Sequence, residues 1–314
     1  MSARRLDGAV VAAAIRAELL PQVAELTTWL GRRPGLSIVL VGDDPASQVY
    51  VRIKEKEGGE AGLCVTIHRL GADASLDEVL TLVRGLNADP LCDGILVQAP
   101  LPAAMGKPAA EQVFDAIAPE KDVDGFHPHN VGLLVQGRAR MAPCTPAGVI
   151  ELLTREGIEL AGKHAVVIGR SEIVGKPMAL LLLQHHATVT VCHSRTVDLA
   201  AVTRLGDILI SAVGRPGFVT ADMVKPGAAV VDVGTTPLSD RARVASIYGA
   251  DSARLVAFDK RGSTVAGDVH PSVAAVAGAL SPVPGGVGPL TITMLLANTL
   301  RAARAHAHAK LSAR

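Results

Sequence analysis

The stretch KHAVVIGRSEIVGKP, residues 163–177, decides the fold. A short apolar strand runs into Gly169, and a helix takes over near Pro177, whose fixed φ suits a first helical turn. A strand that turns through glycines into a helix lets the backbone approach a phosphate, while the helix N-terminus supplies amides and a positive dipole end. The string is not the common GxGxxG, because position 171 is Ser. About two dozen residues on, a second strand, TVTVC (188–192), ends in His193-Ser194-Arg195, where NAD-binding folds carry an acidic residue for the ribose hydroxyls. Ser194 and Arg195, with Arg170, suit a 2′-phosphate instead, so the local chemistry favours NADP over NAD. Taken alone, Arg195 also reads as an ordinary surface-loop cation.

Further strands follow at ILISAV (208–213) and AAVVDV (228–233). The same alternation of apolar runs and amphipathic segments fills the N-terminal half. A helix is expected over 8–30, a strand at LSIVLV (36–41) and a helix from about 46 to 61, led in by Asp43-Asp44-Pro45. Strands near 63–68 and 94–98 flank a helix near 75–87. Both sheets should be mainly parallel. Residues 117–145 break the rhythm with Pro, Gly, Asp and His, and read as a linker or a site-lining loop. A helix is expected after Pro146 and a closing one over 290–309. The segment 238–263 fits poorly and reads as a largely surface insertion.

Composition narrows the classes. The chain has 314 residues, room for about two domains. With 31 basic and 30 acidic side chains it has no charge excess for nucleic acid, and only 2% aromatic residues leave few rings for base stacking. Its four cysteines form no CxxC pair, consistent with free thiols in a reducing cytoplasm. No signal peptide is visible. Residues 269–300 hold no charged side chain and are long enough to cross a bilayer, but repeated prolines and glycines argue for soluble interior plus a loop. No membrane or nucleic-acid partner is expected.

Candidate chemistry is scattered. Tyr50 and Lys54 share a helix face, yet Lys54 stands among Glu55, Lys56 and Glu57, and spacing alone makes it solvated helix surface. Gln98 ends a parallel strand, where ligands bind in such folds, or is a capping side chain. Asp122 and Asp124 read as turn residues, Asp124 also as a partner for a heterocycle with adjacent N–H groups. His127 and His129 look like a metal pair, but their spacing across a proline is weak, and no metal is expected. PVPGGVGP (282–289) holds too many breakers for regular structure and allows a ligand close to its backbone.

Together, VGDDPASQVYVRIKEKEGGEAG (41–62), GILVQAPLP (94–102), PEKDVDGFHPHNVG (119–132), PCTPAG (143–148), the 162–183 turn, ATVTVCHSRT (187–196) and SPVPGGVGPLTITMLLANT (281–299) closely resemble the bifunctional methylenetetrahydrofolate dehydrogenase/methenyltetrahydrofolate cyclohydrolase family. The resemblance implies a two-domain α/β protein. Residues 1–145, joined by the helix 288–314, would form an N-terminal folate-binding catalytic domain. Residues 146–287 would form a Rossmann-type NADP domain, with folate in a cleft between the two. It implies Lys54 as the key catalytic residue, Gln98 orienting it, Asp124 on the pterin and Tyr50 on the aminobenzoyl ring. Val97, Ala99, Pro284, Gly285, Gly286, Val287 and Gly288 would line the folate pocket. Gly169, Arg170, Ser171, Ser194 and Thr235 would contact NADP, beside the Arg195 that the local chemistry offers. It further implies tetrahydrofolate derivatives as substrates, a homodimer, and a place in one-carbon metabolism and purine biosynthesis. Two departures lie on the cofactor side: Gly234-Thr235-Thr236 stands where the family typically reads Gly-Ile-Asn, and 238–263 is longer than its usual link. An NADP dehydrogenase of another small acid would leave Tyr50, Lys54, Asp124 and the PGGVG string together without a reason, and a non-catalytic folate-binding relative has only the Thr235-Thr236 change and the insertion in its support.

Overall fold

The computed structural model describes residues 2–312. Arg4–Arg5 forms β1 and Gly8–Leu30 forms α1. Next come β2 (Gly35–Val41), α2 (Pro45–Glu60), β3 (Cys64–Leu70), α3 (Leu76–Ala88), β4 (Gly94–Val97), α4 (Gly106–Asp115), α5 (Pro128–Val135) and α6 (Cys144–Arg155). The chain continues with β5 (His164–Ile168), α7 (Gly175–Gln184), β6 (Thr188–Cys192), α8 (Leu199–Thr203), β7 (Ile208–Ser211) and β8 (Ala229–Asp232). It ends with β9 (Thr236–Leu238), α9 (Arg241–Tyr248), α10 (Ala253–Arg261), β10 (Thr264–Ala266), β11 (Ala279–Leu280) and α11 (Val287–Ser312).

Two compact units result, with boundaries inside α1 and α11. One holds Ala13–Cys144 and the chain from Ile292 onward. Its sheet is three parallel strands in the order β3-β2-β4. All seven residues of β2 are buried, as a strand covered on both faces requires. Val39, Val41, Ile95 and Val97 meet Val79, Val83 and Leu86 of α3 in one cluster. Two helix starts follow the sequence signals. Pro45 opens α2 behind Asp44, whose carboxylate accepts from Ser47 N at 2.7 Å. Ser75 and Glu78 form a reciprocal capping box on α3. Ser75→Ala should therefore cost about 1 kcal/mol, seen as a lower urea midpoint at unchanged slope.

The other unit runs up to Ala12 and over Thr145–Thr291. Its sheet is six parallel strands in the order β1-β11-β8-β7-β5-β6. From β5 the chain goes to β6 on one side, then crosses to β7 on the other, leaving a switch point at the carboxyl ends of β5 and β7. Arg4–Arg5 pairs with Ala279–Leu280 and so belongs to this sheet, whereas the sequence assigned all of 1–145 to the other domain.

One further expectation changes, and the largely surface reading of 238–263 holds but gains structure. Within 117–145, read as loop, Pro128–Val135 is helical: His127 caps it, its ring Nδ1 accepting from His129 N at 3.0 Å. The segment 238–263 is a helix pair with its own buried Val244, Leu255 and Phe258, set beside an antiparallel β9–β10 pair. The uncharged run 269–300 is broken up by β11 and the loop before α11. Among the described residues, no helix is long and apolar enough to cross a membrane.

Candidate active site

In the three-stranded unit, α2 carries Tyr50 and, one turn on, Lys54. Tyr50 is 39% exposed, enough ring to accept a flat ligand, while Lys54 is half-buried. The Lys54 ammonium donates to Gln98 Oε1 at 2.9 Å. Gln98 directly follows the buried β4, and its amide nitrogen donates to Ala99 O at 2.7 Å. That second bond fixes which end of the amide faces Lys54, so the glutamine orients the amine. Glu57 pairs with Arg16 at 2.7 Å; Glu55 and Lys56 stay exposed, as their charges suggest, while Lys54 and Glu57 are partly buried.

Asp124 joins the same locus. Burial lifts its carboxyl to about 6, Lys54 pulling down and Asp122 pushing up. Asp122 is fully engaged in shaping the turn, accepting from Gly125 N, His127 N and Asn130 Nδ2. Two residues that sequence reasoning missed support it from below. Asn298 of α11 donates to Val123 O at 2.8 Å and Ala142 O at 2.9 Å. Cys144 donates to Val123 O at 3.3 Å, and burial pushes its thiol well above the ordinary range. Their signal in sequence was slight: an Asn in the uncharged first half of a helix and a Cys in PCTPAG. Val97 is buried at the end of β4; Ala99 beyond it is exposed.

In the six-stranded unit, a cavity of about 300 Å³ opens at the switch point. Gly169, Arg170, His193, Ser194, Val213, Arg215 and Phe218 line it. Gly169 has φ +121°, and a Cβ there would sit 2.4 Å from Ala212 O, so only glycine permits this approach of the two strand ends. Ser171 accepts from Val174 N and Gly175 N at 3.2 Å, closing the turn onto α7. Arg215, which the sequence did not single out, stacks 4.4 Å from the Phe218 ring centre. Two arginines around a glycine turn at a helix start fit an anionic dinucleotide. Arg195 lies exposed in the turn after β6, its amide bonded to His193 Nδ1, and Thr235 is exposed beyond β8; neither lines this cavity.

Beneath that cavity lie two buried carboxylates the sequence also missed. Asp268 accepts from Ser211 Oγ, Val213 N, Gly214 N and Arg215 N. Asp232 accepts from Gly234 N, Asp268 N and Val269 N. Burial pushes Asp232 up to about 7 against those three amides, with Asp268 adding to the rise.

The Pro284–Gly288 stretch turns sharply into α11, which starts at Val287 rather than at 288–290. Gly8 of α1 packs against it: a Cβ on Gly8 would lie 1.7 Å from Gly286 O, and Ala9 N donates to Gly285 O at 3.1 Å. Among the described residues, no group of His, Cys, Asp and Glu is placed to hold a metal.

The tetrahydrofolate dehydrogenase/cyclohydrolase family models match this chain twice, the catalytic domain over 6–124 and the NAD(P)-binding domain over 143–307. The chain belongs to that family. It is similar to the bifunctional protein FolD of Koribacter versatilis, with 51% identity over 97% of this chain and 98% of the relative. Solved structures agree. The FolD dehydrogenase/cyclohydrolase of Campylobacter jejuni is 41% identical, with a TM-score of 0.85 over 97% of this chain and 99% of that one. The Trypanosoma brucei FolD, complexed with NADP cofactor and inhibitor, is 40% identical, with a TM-score of 0.86 over 97% and 98%. The chain is thus an enzyme of folate one-carbon interconversion, a methylenetetrahydrofolate dehydrogenase and methenyltetrahydrofolate cyclohydrolase.

Proposed function

We propose that this enzyme oxidises 5,10-methylenetetrahydrofolate with NADP and opens the methenyl product to 10-formyltetrahydrofolate with Lys54 as proton carrier. The observation carrying this reading is the 2.9 Å hydrogen bond from Lys54 to Gln98, with Asp124 close enough to feel the ammonium's charge. Three segments distant in sequence supply these groups.

Each residue has a task. Tyr50 stacks on the aminobenzoyl ring, and Asp124 accepts from the pterin N–H groups. Val97 and Ala99 contact folate beside Lys54, and the Pro284–Gly288 loop is a folate contact in its own unit. Such orientation is worth roughly 7–11 kcal/mol in favourable cases. Gly169, Arg170, Ser171, Ser194, Arg195 and Thr235 hold NADP, which supplies the hydride acceptor. The methenyl form is a conjugated cation, already electrophilic toward water. Lys54 Nζ then takes or gives the protons that hydration and ring opening require, while Gln98 keeps its lone pair or proton aimed. The homodimer, the cytoplasmic location and the supply of formyl groups to purine biosynthesis belong to the same reading.

Formation of NADPH on adding methylenetetrahydrofolate tests the first activity, and loss of methenyl absorbance tests the second. Cofactor choice has its own test. Arg170→Ala and Arg195→Ala should each raise the KM for NADP roughly tenfold or more, and the KM for NAD far less. Equal effects on the two cofactors would separate these cations from the 2′-phosphate.

A further inference from the structure

The 238–263 helix pair has no task in the site just described, yet it is firmly built. Asp240 caps α9 and Ser252 caps α10, and Arg241 clasps Asp259 across the two helices at 2.7 and 3.0 Å. From α10, Arg254 reaches out of the pair. Its Nη1 donates to Val265 O at 2.7 Å, and its Nη2 donates to Val283 O. The guanidinium also stacks over Tyr248, 4.9 Å from the ring centre, and Tyr248 is itself hydrogen-bonded to the Gly267 backbone. One planar fork thus ties β10 to the residue just before Pro284. A lysine, with a single ammonium on a flexible stem, cannot reproduce both bonds in fixed geometry.

The surroundings make that tie matter. A cavity of about 590 Å³ lies against Pro237, Arg254, Val265 and Pro284, so the loop has open space to shift into on this side. On the other side it is pinned by Ala9 N to Gly285 O. Among its anchors are therefore α1 at Gly285 and Arg254 at Val283.

We propose that Arg254 is a positioning residue for folate: it fixes the Val283–Pro284 main chain and so presents the Pro284–Gly288 wall to the substrate. The proposal rests on the reading of that loop as part of the folate pocket. It also assigns the helix pair a purpose, as the platform from which the brace extends.

Steady-state kinetics on the full-length enzyme test it, with Arg254→Met and Arg254→Lys beside the wild type. Arg254→Met should raise the KM for methylenetetrahydrofolate roughly tenfold, and that for supplied methenyltetrahydrofolate equally, as loss of a charge-assisted hydrogen bond predicts. The KM for NADP and kcat should stay within about twofold, because neither the cofactor turn nor Lys54 is touched. Arg254→Lys should recover part of the folate affinity. Unchanged folate KM values overturn the proposal, as do folate and NADP KM values rising together. If Arg254→Met does not fold, Arg254→Lys decides alone, and a wild-type folate KM in it overturns the proposal. A wild-type protein that turns over neither folate would instead overturn the reading of the activity itself.

Discussion

Lys54→Met is expected to lower methenyltetrahydrofolate hydrolysis by roughly 10²–10⁴, the span of a lost general acid or base. Methionine keeps most of the stem volume, so α2 and its bond partners on either side should fold as before. The hydrogen bond to Gln98 goes with the ammonium, leaving Gln98 Oε1 to water, since that residue is only partly buried. Hydride departure from the folate methylene requires alignment but no proton at Nζ. Dehydrogenase activity should therefore fall less than hydrolysis. Methenyl product should accumulate and be seen directly by its absorbance. Hydrolysis at the wild-type rate would remove Lys54 from the chemistry and leave Asp124, with its carboxyl lifted to about 6, as the remaining titrating group at the site.

Local signals carried most of the fold. The strand-glycine-helix turn at 163–177 was legible because a buried parallel strand reads as a short β-branched run ending in glycine, and the 188–192 edge strand because its Thr and Val residues alternate as β-branched runs do. The α2 start was legible because Asp44 and Pro45 are a cap and a first-turn residue. Helix α5 was hidden by the prolines and glycines around it, although Pro128 is the residue that begins it. The 238–263 pair was hidden because few of its side chains face inward. Its core is three residues, too short a pattern for a clear period. Lys54 shows the limit most plainly. Its neighbours Glu55, Lys56 and Glu57 spell an exposed helix, and only the family-like string around it pointed inward. Whether one lysine of a charged helix turns inward depends on a partner such as Gln98, which lies tens of residues away. Asp232 and Asp268 were missed for the same reason: a carboxylate at a strand end looks like a turn residue until its donors are known.

Those two carboxylates carry the second large effect. Asp268→Ala is expected to destabilise the six-stranded unit by roughly 3–5 kcal/mol, because a fully buried carboxylate is lost and four donors, one buried and three partly buried, lose their acceptor together. That is a large share of a typical folding free energy of about 5–15 kcal/mol. The damage is also local to function. Val213 and Arg215 line the cavity proposed for the dinucleotide, and both amides hang on Asp268, so the KM for NADP should rise together with the loss of stability. The pH dependence supplies a second signature. Asp232 is lifted to about 7 by burial, with Asp268 contributing, so between the ordinary carboxylate range and about pH 7 the native state holds a proton that the unfolded chain has released. Stability from this group therefore falls as pH rises through that window. Removing the Asp268 charge should draw Asp232 down and flatten that part of the profile. Urea midpoints measured from pH 5 to 8 read both effects. A variant with the wild-type midpoint, the wild-type slope against pH and an unchanged KM for NADP would mean that the loops after β7 and β8 are held by something other than this carboxylate pair.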